Sequence, residues 1–333
     1  MFEIPPTLEL ILKEAKELEV KGEYSKADNR LSFVINEFKK GKYDNPNFLA
    51  DALNHGGIVK RMLMQYDDAL ENYKEALKLK PTNEQKAFAN VNIADICRVA
   101  KSNFKAAHEH LKKARSCAKK IPYAKNRGIM HAKIEDQKGL VFLAQEEYNK
   151  AINSYQGAIE ICDDLMEHHP GDKEIENRFG QAVHHLGVAY IKLNDPKNVK
   201  EAYESQKSAL NVFRELGDQQ GIVNSVSALG EIAMIKNNPD ESIKQYKEAW
   251  GILEKTGYDR AKIALALNLA EAYLTKKEPE KAIPYLKQFR DGIINKKITK
   301  HDINLMRDKY KKCMILANQC MILADQMFMK NVY

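Results

Sequence analysis

The segment ALGEIAMIKNNPDESIKQYKEA, from Ala228 to Ala249, contains a glycine in a stretch that otherwise has the character of a helix. Glycine inside a helix costs about 1 kcal/mol relative to alanine, so Gly230 needs a physical reason. A polar turn follows, and then Pro239, with Ser242 three residues later and Ala249 seven residues after that. The pattern predicts two helices joined by a turn, with small residues at the places where helices touch.

The same pattern occurs seven times along the chain, which is the signature of a repeat architecture. Neighbouring copies lie 38 residues apart at the closest (Ala69 to Ala107) and 51 at the widest (Ala151 to Ala202). The small residues that follow each turn, near the start of the second helix, are Ala27, Ala69, Ala107, Ala151, Ala202, Ser242 and Ala282. One position of the first helix is also small, with Gly57, Gly139, Gly187, Gly230 and Ala270. A recurrent glycine of this kind indicates close helix packing, because the distance between two helices depends on the side chains at the contact.

These seven copies closely resemble the tetratricopeptide repeat over residues 8–290. The units are longer than the usual 34 residues. In this respect they are similar to those of G-protein-signalling modulators, kinesin light chains and Rap-type peptide-sensing regulators. The resemblance implies an all-α, right-handed α-α superhelix of two antiparallel helices per unit. We expect this solenoid over residues 1–292, with a capping repeat at its start.

Residues 293–333 lie outside the repeats and have apolar residues every three to five positions. A solenoid needs its last hydrophobic face covered, so this segment is expected to form amphipathic capping helices. The alternative is a helix that forms a homodimer or binds a partner, since methionine side chains adapt to varied surfaces.

The composition excludes several classes of protein. No apolar run approaches the roughly 20 residues that span a bilayer, and no secretion signal is evident at the N-terminus. The five cysteines form no CxxC pair. An odd set of unpaired cysteines is typical of buried thiols in a reducing compartment, so we expect a cytoplasmic protein.

No catalytic motif, cofactor motif or metal-binding motif is present. The densest set of titratable groups lies in residues 162–176, which include His168 and His169. That run precedes Pro170 and Gly171, where a solvated loop is expected. Adjacent histidines on a helix point in different directions. We therefore expect no enzyme, no cofactor and no metal site.

The resemblance to the tetratricopeptide repeat implies that each first helix lines a concave groove. The groove residues carried over from the family pattern are Asn54, Arg61, Asn92, Lys133, His184, Asn224, Ser227 and Glu231. A side-chain amide both donates and accepts, so the asparagines, together with His184, are expected to pair with the backbone of an extended peptide. Arg61 and Lys133 are expected to select acidic side chains. The alternative is that the asparagines are solvated polar residues on an open face.

Charge is distributed unevenly along the chain. Residues 98–133 contain eleven Lys or Arg and one acid, and residues 134–176 contain three lysines and eleven acids. The basic patch comprises Lys112, Lys113, Arg115, Lys119, Lys120, Lys125 and Arg127. It either complements the acidic neighbour, binds an acidic protein, or binds nucleic acid. Few aromatic residues interleave with it, which disfavours base stacking.

The sequence thus favours a protein-interaction scaffold that binds an extended peptide or a helix of an unidentified partner. Two alternatives stay open, namely a peptide-sensing regulator of the Rap-like kind and an acidic-protein or nucleic-acid binder acting through residues 98–133. Fold alone does not decide among them. The chaperone-docking members of the family carry a Lys and Asn clamp that this sequence lacks, so docking of chaperone tails is not expected.

Overall fold

The structure is a computed structural model that describes residues 4–41, 43–255, 259–294 and 306–316. Within these ranges the chain is helical and has no strand. The helices are α1 (Pro6–Val20), α2 (Tyr24–Lys39), α3 (Pro46–Met62), α4 (Tyr66–Lys78), α5 (Asn83–Val99), α6 (Phe104–Ala118), α7 (Ala124–Ala144), α8 (Tyr148–His168), α9 (Lys173–Leu193), a 3₁₀ helix (Pro196–Asn198), α10 (Val199–Leu216), α11 (Gln219–Ile235), α12 (Pro239–Lys255), α13 (Asp259–Thr275) and α14 (Pro279–Ile294).

The turn inside each helix pair has the same backbone geometry. One residue per turn adopts a positive φ, and in six of the seven turns it lies five residues before the small residue in the first turn of the second helix. These residues are Gly22, Met64, Ser102, Glu146, Asn194, Asn237 and Lys277. The pair α9 and α10 differs because its turn also contains the 3₁₀ helix, which takes up three additional residues. The recurrence shows that the repeat exists in the backbone as well as in the sequence.

Small residues occupy the contacts between the helices of each pair, as the sequence predicts. The small residues in the first turn of the second helices, such as Ala27, Ala107 and Ser242, are at most 1% exposed. The residues seven positions later, such as Ala76 and Ala249, are fully buried as well. The helix-packing interpretation of the repeat pattern is therefore confirmed.

Three of the recurrent glycines, Gly57, Gly139 and Gly230, have a specific partner, which is a buried tyrosine sixteen residues later. A Cβ atom added to Gly139 would lie 2.4 Å from the Tyr155 ring, and one added to Gly230 would lie 2.4 Å from the Tyr246 ring. Both rings are at most 1% exposed. Gly57 has the same relation to a tyrosine of α4. The glycines are needed because a flat aromatic ring lies directly on the backbone of the first helix.

The chain divides into two compact units, a first unit of Met1–Ala189 and a second unit of Tyr190–Tyr333. In the first unit, α3 contacts α5 and α5 contacts α7, so the first helices of successive pairs lie side by side. In the second unit, α11 contacts α13. No described helix is sufficiently long and apolar to cross a membrane.

Residues 306–316 are helical and cover part of the last helix pair. The Tyr310 ring lies 5.1 Å from the Phe289 ring, and Cys313 is fully buried. The Lys309 ammonium lies 2.6 Å from the carboxylate of Glu271. These contacts agree with a capping role, whereas the boundary at residue 292 and a homodimer through this segment stay predictions. Residues 295–305 and 317–333 lie outside the described part of the chain.

Candidate functional site: a cleft between the first helices

A cleft of about 360 Å³ lies in the first unit, and we refer to it as the first-unit cleft. It is lined by the first helices of successive pairs, as expected for the groove of a helical-repeat protein. Asn54 lines it from α3, Phe88 from α5, Lys133 from α7, and Arg178 from α9. Two residues of the predicted groove, Asn54 and Lys133, are thus brought to one site.

Asn54 is only 3% exposed and is incompletely bonded. Its amide nitrogen donates a long hydrogen bond of 3.4 Å to the backbone carbonyl of Gln85. Its side-chain oxygen has no hydrogen-bond partner. A buried acceptor without a partner costs about 1–3 kcal/mol. Asn54 therefore has an unpartnered acceptor, although that oxygen itself has almost no exposed surface.

Lys133 is partly buried and its ammonium lies over the ring of Phe88, 3.9 Å from the ring centroid. This is a cation–π contact. Burial, followed by the positive charges of Arg178 and Arg61, lowers the pKa of the Lys133 ammonium well below its ordinary value. Among the described residues, no carboxylate lies within ion-pair distance of Lys133.

Several side chains at the rim of the first-unit cleft have ion-pair or hydrogen-bond partners within the protein. Asp51 pairs with Lys16 at 2.6 Å. The ring of His55 lies 2.8 Å from a carboxylate oxygen of Glu19. The Glu84 carboxylate accepts a hydrogen bond of 3.2 Å from an amide of α7. The carboxylates of Asp51, Glu84 and Glu174 thus line the same cleft as the cations of Lys133 and Arg178.

A charge cluster of three residues lies beside the first-unit cleft. The Asp95 carboxylate lies 3.1 Å from the Arg61 guanidinium and also accepts a hydrogen bond from Arg98. Burial alone would raise the pKa of Asp95, but the charges of Arg98 and Arg61 together hold it below its ordinary value. Arg61, predicted to select acidic side chains of a ligand, is therefore already engaged by an acid of its own chain.

Asp95 occupies the position at which other copies of the repeat have glycine or alanine, twelve residues before Ala107. It is 6% exposed. Natural sequences tend to depart from their local rules at functional sites. Sequence reasoning missed Asp95, although counting back from Ala107 would have revealed it. Phe88 and Arg178 were also missed, because neither falls at a groove position of the family pattern.

Two further predicted groove residues in the first unit, Asn92 and His184, contact residues of their own helices. The Asn92 amide donates a hydrogen bond of 3.0 Å to the carbonyl of Phe88 within its own helix. His184 is 9% exposed, with its ring 5.4 Å from that of His185. The His185 ring nitrogen lies 2.6 Å from the carboxylate of Asp136. A ligand would have to reorganise these groups before binding them.

The remaining predicted groove residues lie on α11 in the second unit. The Asn224 oxygen accepts a hydrogen bond of 2.9 Å from the Gln220 amide. Glu231 pairs with Lys192 at 3.0 Å. Ser227 is partly buried. None of these three residues has a buried side-chain atom without a hydrogen-bond partner.

The basic patch is divided between paired and solvent-exposed members. Arg115 pairs with Glu135, and Lys125 pairs with Asp172. Arg127 donates to the backbone carbonyl of Ile121 at 2.8 Å. The exposed members without an ion pair among the described residues are Lys112, Lys113, Lys119 and Lys120. The acidic stretch that follows thus offsets part of the patch, as one of the sequence-based alternatives holds.

The described residues contain no group of three or more side chains suited to hold a metal ion. The His168 ring nitrogen lies 2.8 Å from the backbone carbonyl of Asp164, within its own helix. Burial raises the pKa of the Cys162 thiol to about 12 and that of Cys313 to about 11. Thiols with such pKa values are poor nucleophiles at neutral pH.

Comparisons with known proteins agree on the fold. A family model described as tetratricopeptide repeat matches residues 263–289. No curated protein matches the sequence. A Rap protein solved in complex with competence and sporulation factor is similar in structure, with a TM-score of 0.63 and 15% sequence identity. The match covers 96% of this chain and 89% of that one.

Two further solved structures are similar at comparable levels. Yeast Tom70 has a TM-score of 0.58 and 14% identity, over 97% of this chain and 66% of that one. Aspartyl phosphate phosphatase F from Bacillus subtilis has a TM-score of 0.55 and 12% identity, over 98% and 88%. At such identities the likeness establishes the fold alone. The all-α helical-repeat fold of the tetratricopeptide type, expected from the sequence, is confirmed.

Proposed function

We propose that this chain, which has the helical-repeat fold of the tetratricopeptide type, is a non-catalytic scaffold that binds an extended peptide or helix of a partner protein. The first-unit cleft is the proposed binding surface. Asn54 would pair with the ligand backbone, and Lys133 would select acidic groups. The free thiols are consistent with a reducing, cytoplasmic setting.

The observation that carries the proposal is the unsatisfied oxygen of Asn54 within a cleft lined by several first helices. Most polar groups in a protein interior are satisfied, so we expect the unpartnered Asn54 oxygen to gain a partner when its side chain turns toward a ligand in the cleft. The lining of the cleft also includes the aromatic ring of Phe88 and the cationic groups of Lys133 and Arg178. Apolar lining with few polar groups is typical of recognition sites.

A photo-crosslinking experiment tests this assignment. Benzoylphenylalanine replaces Phe88 in the cleft or, as the matched control, replaces Tyr123, which is 71% exposed and lies outside it. Both proteins are irradiated in extract of the source cells, and adducts are identified by mass spectrometry. We expect a peptide segment attached at position 88 and none at position 123. Equal labelling at both positions, or labelling at 123 alone, would contradict the proposal.

A peptide-sensing regulator of the Rap-like kind is the second candidate, and the likeness to a Rap protein solved in complex with competence and sporulation factor favours it. In that case a small peptide changes the arrangement of the repeats. Small-angle scattering with and without the peptide recovered at position 88 distinguishes the two. A change in the radius of gyration supports sensing, whereas an unchanged profile with saturating peptide supports a scaffold.

Binding through the basic segment 98–133 is the remaining alternative. If its four exposed lysines contacted phosphates, the logarithm of affinity would fall with the logarithm of salt with a slope of about −3 to −4. A filter-binding titration of single-stranded RNA and duplex DNA measures this slope. We expect neither nucleic acid to be retained at 150 mM salt, since aromatic platforms for bases are scarce around the lysines.

A further inference from the structure

We infer that the outer face of the first helix pair is an interface with a second copy of this chain. We call this surface the end face, and its members on α1 and α2 are Leu10, Glu14, Glu17, Lys26, Arg30 and Phe33. A groove of about 650 Å³ runs along it between the two helices. The groove shares no residue with the first-unit cleft, so the role of the end face does not depend on the proposed function.

The opposite sides of α1 and α2 pack against the second helix pair. On α1, the Lys16 ammonium lies 2.6 Å from the carboxylate of Asp51. On α2, the Asp28 carboxylate lies 2.9 Å from the ammonium of Lys60. An α-helix turns by about 200° over two residues, and members of the end face lie two positions away from these residues. The end face therefore points away from the second helix pair.

The second helix pair shows what the corresponding face does elsewhere in the fold. Ala27 and Ala69 are equivalent positions 42 residues apart, so Glu75 is equivalent to Phe33. The Glu75 carboxylate lies 3.0 Å from the ammonium of Lys39, which belongs to the preceding pair. Among the described helices, α1 has extensive contacts only with α2 and α3. The end face is thus a face of the kind that joins helix pairs to one another.

Apolar side chains occupy the end face, although the terminal repeat of a solenoid needs a polar outer face for solubility. Leu10 is 56% exposed and Phe33 is 50% exposed. Glu14 lies 3.5 Å from Arg30, which sets the register of the antiparallel pair. One turn farther along each helix, in the same direction, come Leu10 and Phe33, so these apolar side chains lie side by side. Their exposure indicates a surface that is covered in an assembly.

The charges of the end face favour a second copy as the occupant. Its α1 side carries two acids, and its α2 side carries two bases. A two-fold axis parallel to the helices would place α1 of one copy over α2 of the other, at the same level along the pair. Each side chain on α1 would then meet the side chain of the second copy that lies level with it on α2. An isologous interface requires such a self-complementary patch.

The individual contacts match in sign along the whole face. Glu14 of one copy would meet Arg30 of the other, and the apolar residues one turn farther along would meet each other. Glu17 would meet Lys26, which pairs with Glu23 within its own copy. Lys21 also lines the groove, and it would lie level with Glu23 of the second copy. No like charges are therefore placed directly opposite each other by this arrangement.

The size of the end face predicts a weak dimer. The first helix has 15 residues and is therefore about 22 Å long. Two such helices packed about 10 Å apart present roughly 450 Å² per copy, or about 900 Å² per dimer. A standard interface buries about 1,600 Å² in total. We therefore expect a Kd in the micromolar range and a dimer that forms with rising concentration.

Sedimentation equilibrium of the full chain, from low to high micromolar concentration, tests the interface. Phe33→Glu is the variant, and Val20→Glu is the matched control, since Val20 is 84% exposed but does not line the groove. Both replaced side chains are exposed, so both variants should have the circular dichroism of the wild type. We expect the wild type and Val20→Glu to dimerise equally, and Phe33→Glu to dimerise about tenfold more weakly or less.

A charge exchange distinguishes a second copy from any other occupant. Glu17→Lys and Lys26→Glu each place like charges opposite one another in their own homodimers. We expect each variant alone to dimerise about threefold more weakly or less. When the two variants are mixed, the heterodimer has opposite charges at both contacts, so its Kd should return to the value of the wild type.

Three results would overturn the inference. A wild type that is monomeric at every concentration would leave the end face to a different chain. A dimer that Phe33→Glu does not weaken would place the interface elsewhere, such as on residues 306–316. A mixture of Glu17→Lys and Lys26→Glu that associates no better than either variant alone would exclude the two-fold pairing of α1 with α2.

Discussion

Replacement of Asp95 by asparagine is expected to lower the free energy of unfolding by about 2–4 kcal/mol at pH 7. The variant leaves the guanidinium groups of Arg61 and Arg98 next to each other without the carboxylate that lies between them. Removal of one partner from a buried ion pair typically costs about 3–5 kcal/mol, and the two arginine side chains are 28% and 21% exposed, which moderates the loss.

The effect should depend on pH in a defined direction. Because the folded-state pKa of Asp95 lies below its unfolded value of about 3.9, its contribution is complete above that value. The contribution is lost as the pH falls through the lowered folded-state pKa. The difference between the wild type and Asp95→Asn should therefore be largest at neutral pH and shrink below pH 4.

Urea denaturation at pH 7 and at pH 3 measures both the loss of unfolding free energy in Asp95→Asn and its dependence on pH. Asp67→Asn is the matched control, since Asp67 pairs with Lys101 but is 91% exposed. Exposed pairs contribute about 0–1 kcal/mol. If Asp95→Asn were no more destabilising than Asp67→Asn, or if its effect did not change with pH, the buried cluster would not have the role assigned to it.

The second large effect is expected at the glycines that lie beneath tyrosine rings. Gly139→Ala places a methyl group 2.4 Å from the buried Tyr155 ring, and the ring has no room to withdraw. Overpacking of this kind costs about 1–3 kcal/mol. The matched control is Gly157→Ala on α8, where nothing lies within 4 Å of the added atom. That substitution should stabilise the helix by about 0.5–1 kcal/mol.

The seventh repeat suggests how to rescue such a variant. It has Ala270 at the glycine position and Leu286 sixteen residues later, in place of a tyrosine. The double variant Gly230→Ala with Tyr246→Leu reproduces that combination in the sixth repeat. Urea denaturation should find it more stable than Gly230→Ala alone. The packing account would be contradicted if Gly139→Ala and Gly157→Ala were equally stable. It would also be contradicted if the double variant were less stable than Gly230→Ala alone.

The sequence was sufficient to predict the helix pairs and their contacts, because both follow from the repeated spacing of small residues. The additional residues before Val199 could be inferred from the wide spacing between Ala151 and Ala202, but their 3₁₀ conformation could not. The site was harder to predict for a physical reason. Family positions identified Asn54 and Lys133, but Phe88 and Arg178 reach the cleft from other positions.

The engagement of Arg61 was equally invisible in the sequence. Its partner, Asp95, belongs to the next repeat, and only packing of α3 against α5 brings the two together. The hydrogen bond of Asn92 could not be predicted from the sequence either, since its amide donates to a carbonyl of its own helix. A residue type at a groove position indicates which chemistry is available, whereas its hydrogen bonds decide whether a ligand can use it.

The most direct test of the binding surface is calorimetry with the peptide recovered by crosslinking at position 88. Asn54→Ala should bind it at least fivefold more weakly, because a buried hydrogen bond to the ligand is lost. Its free energy of unfolding should change by about 1 kcal/mol or less, because loss of the long hydrogen bond to the Gln85 carbonyl opposes the relief of the unpartnered oxygen. Asn153→Ala, an exposed asparagine on α8, should bind as the wild type does. Equal affinities for Asn54→Ala, Asn153→Ala and the wild type would contradict the assignment of the first-unit cleft as the site of peptide binding.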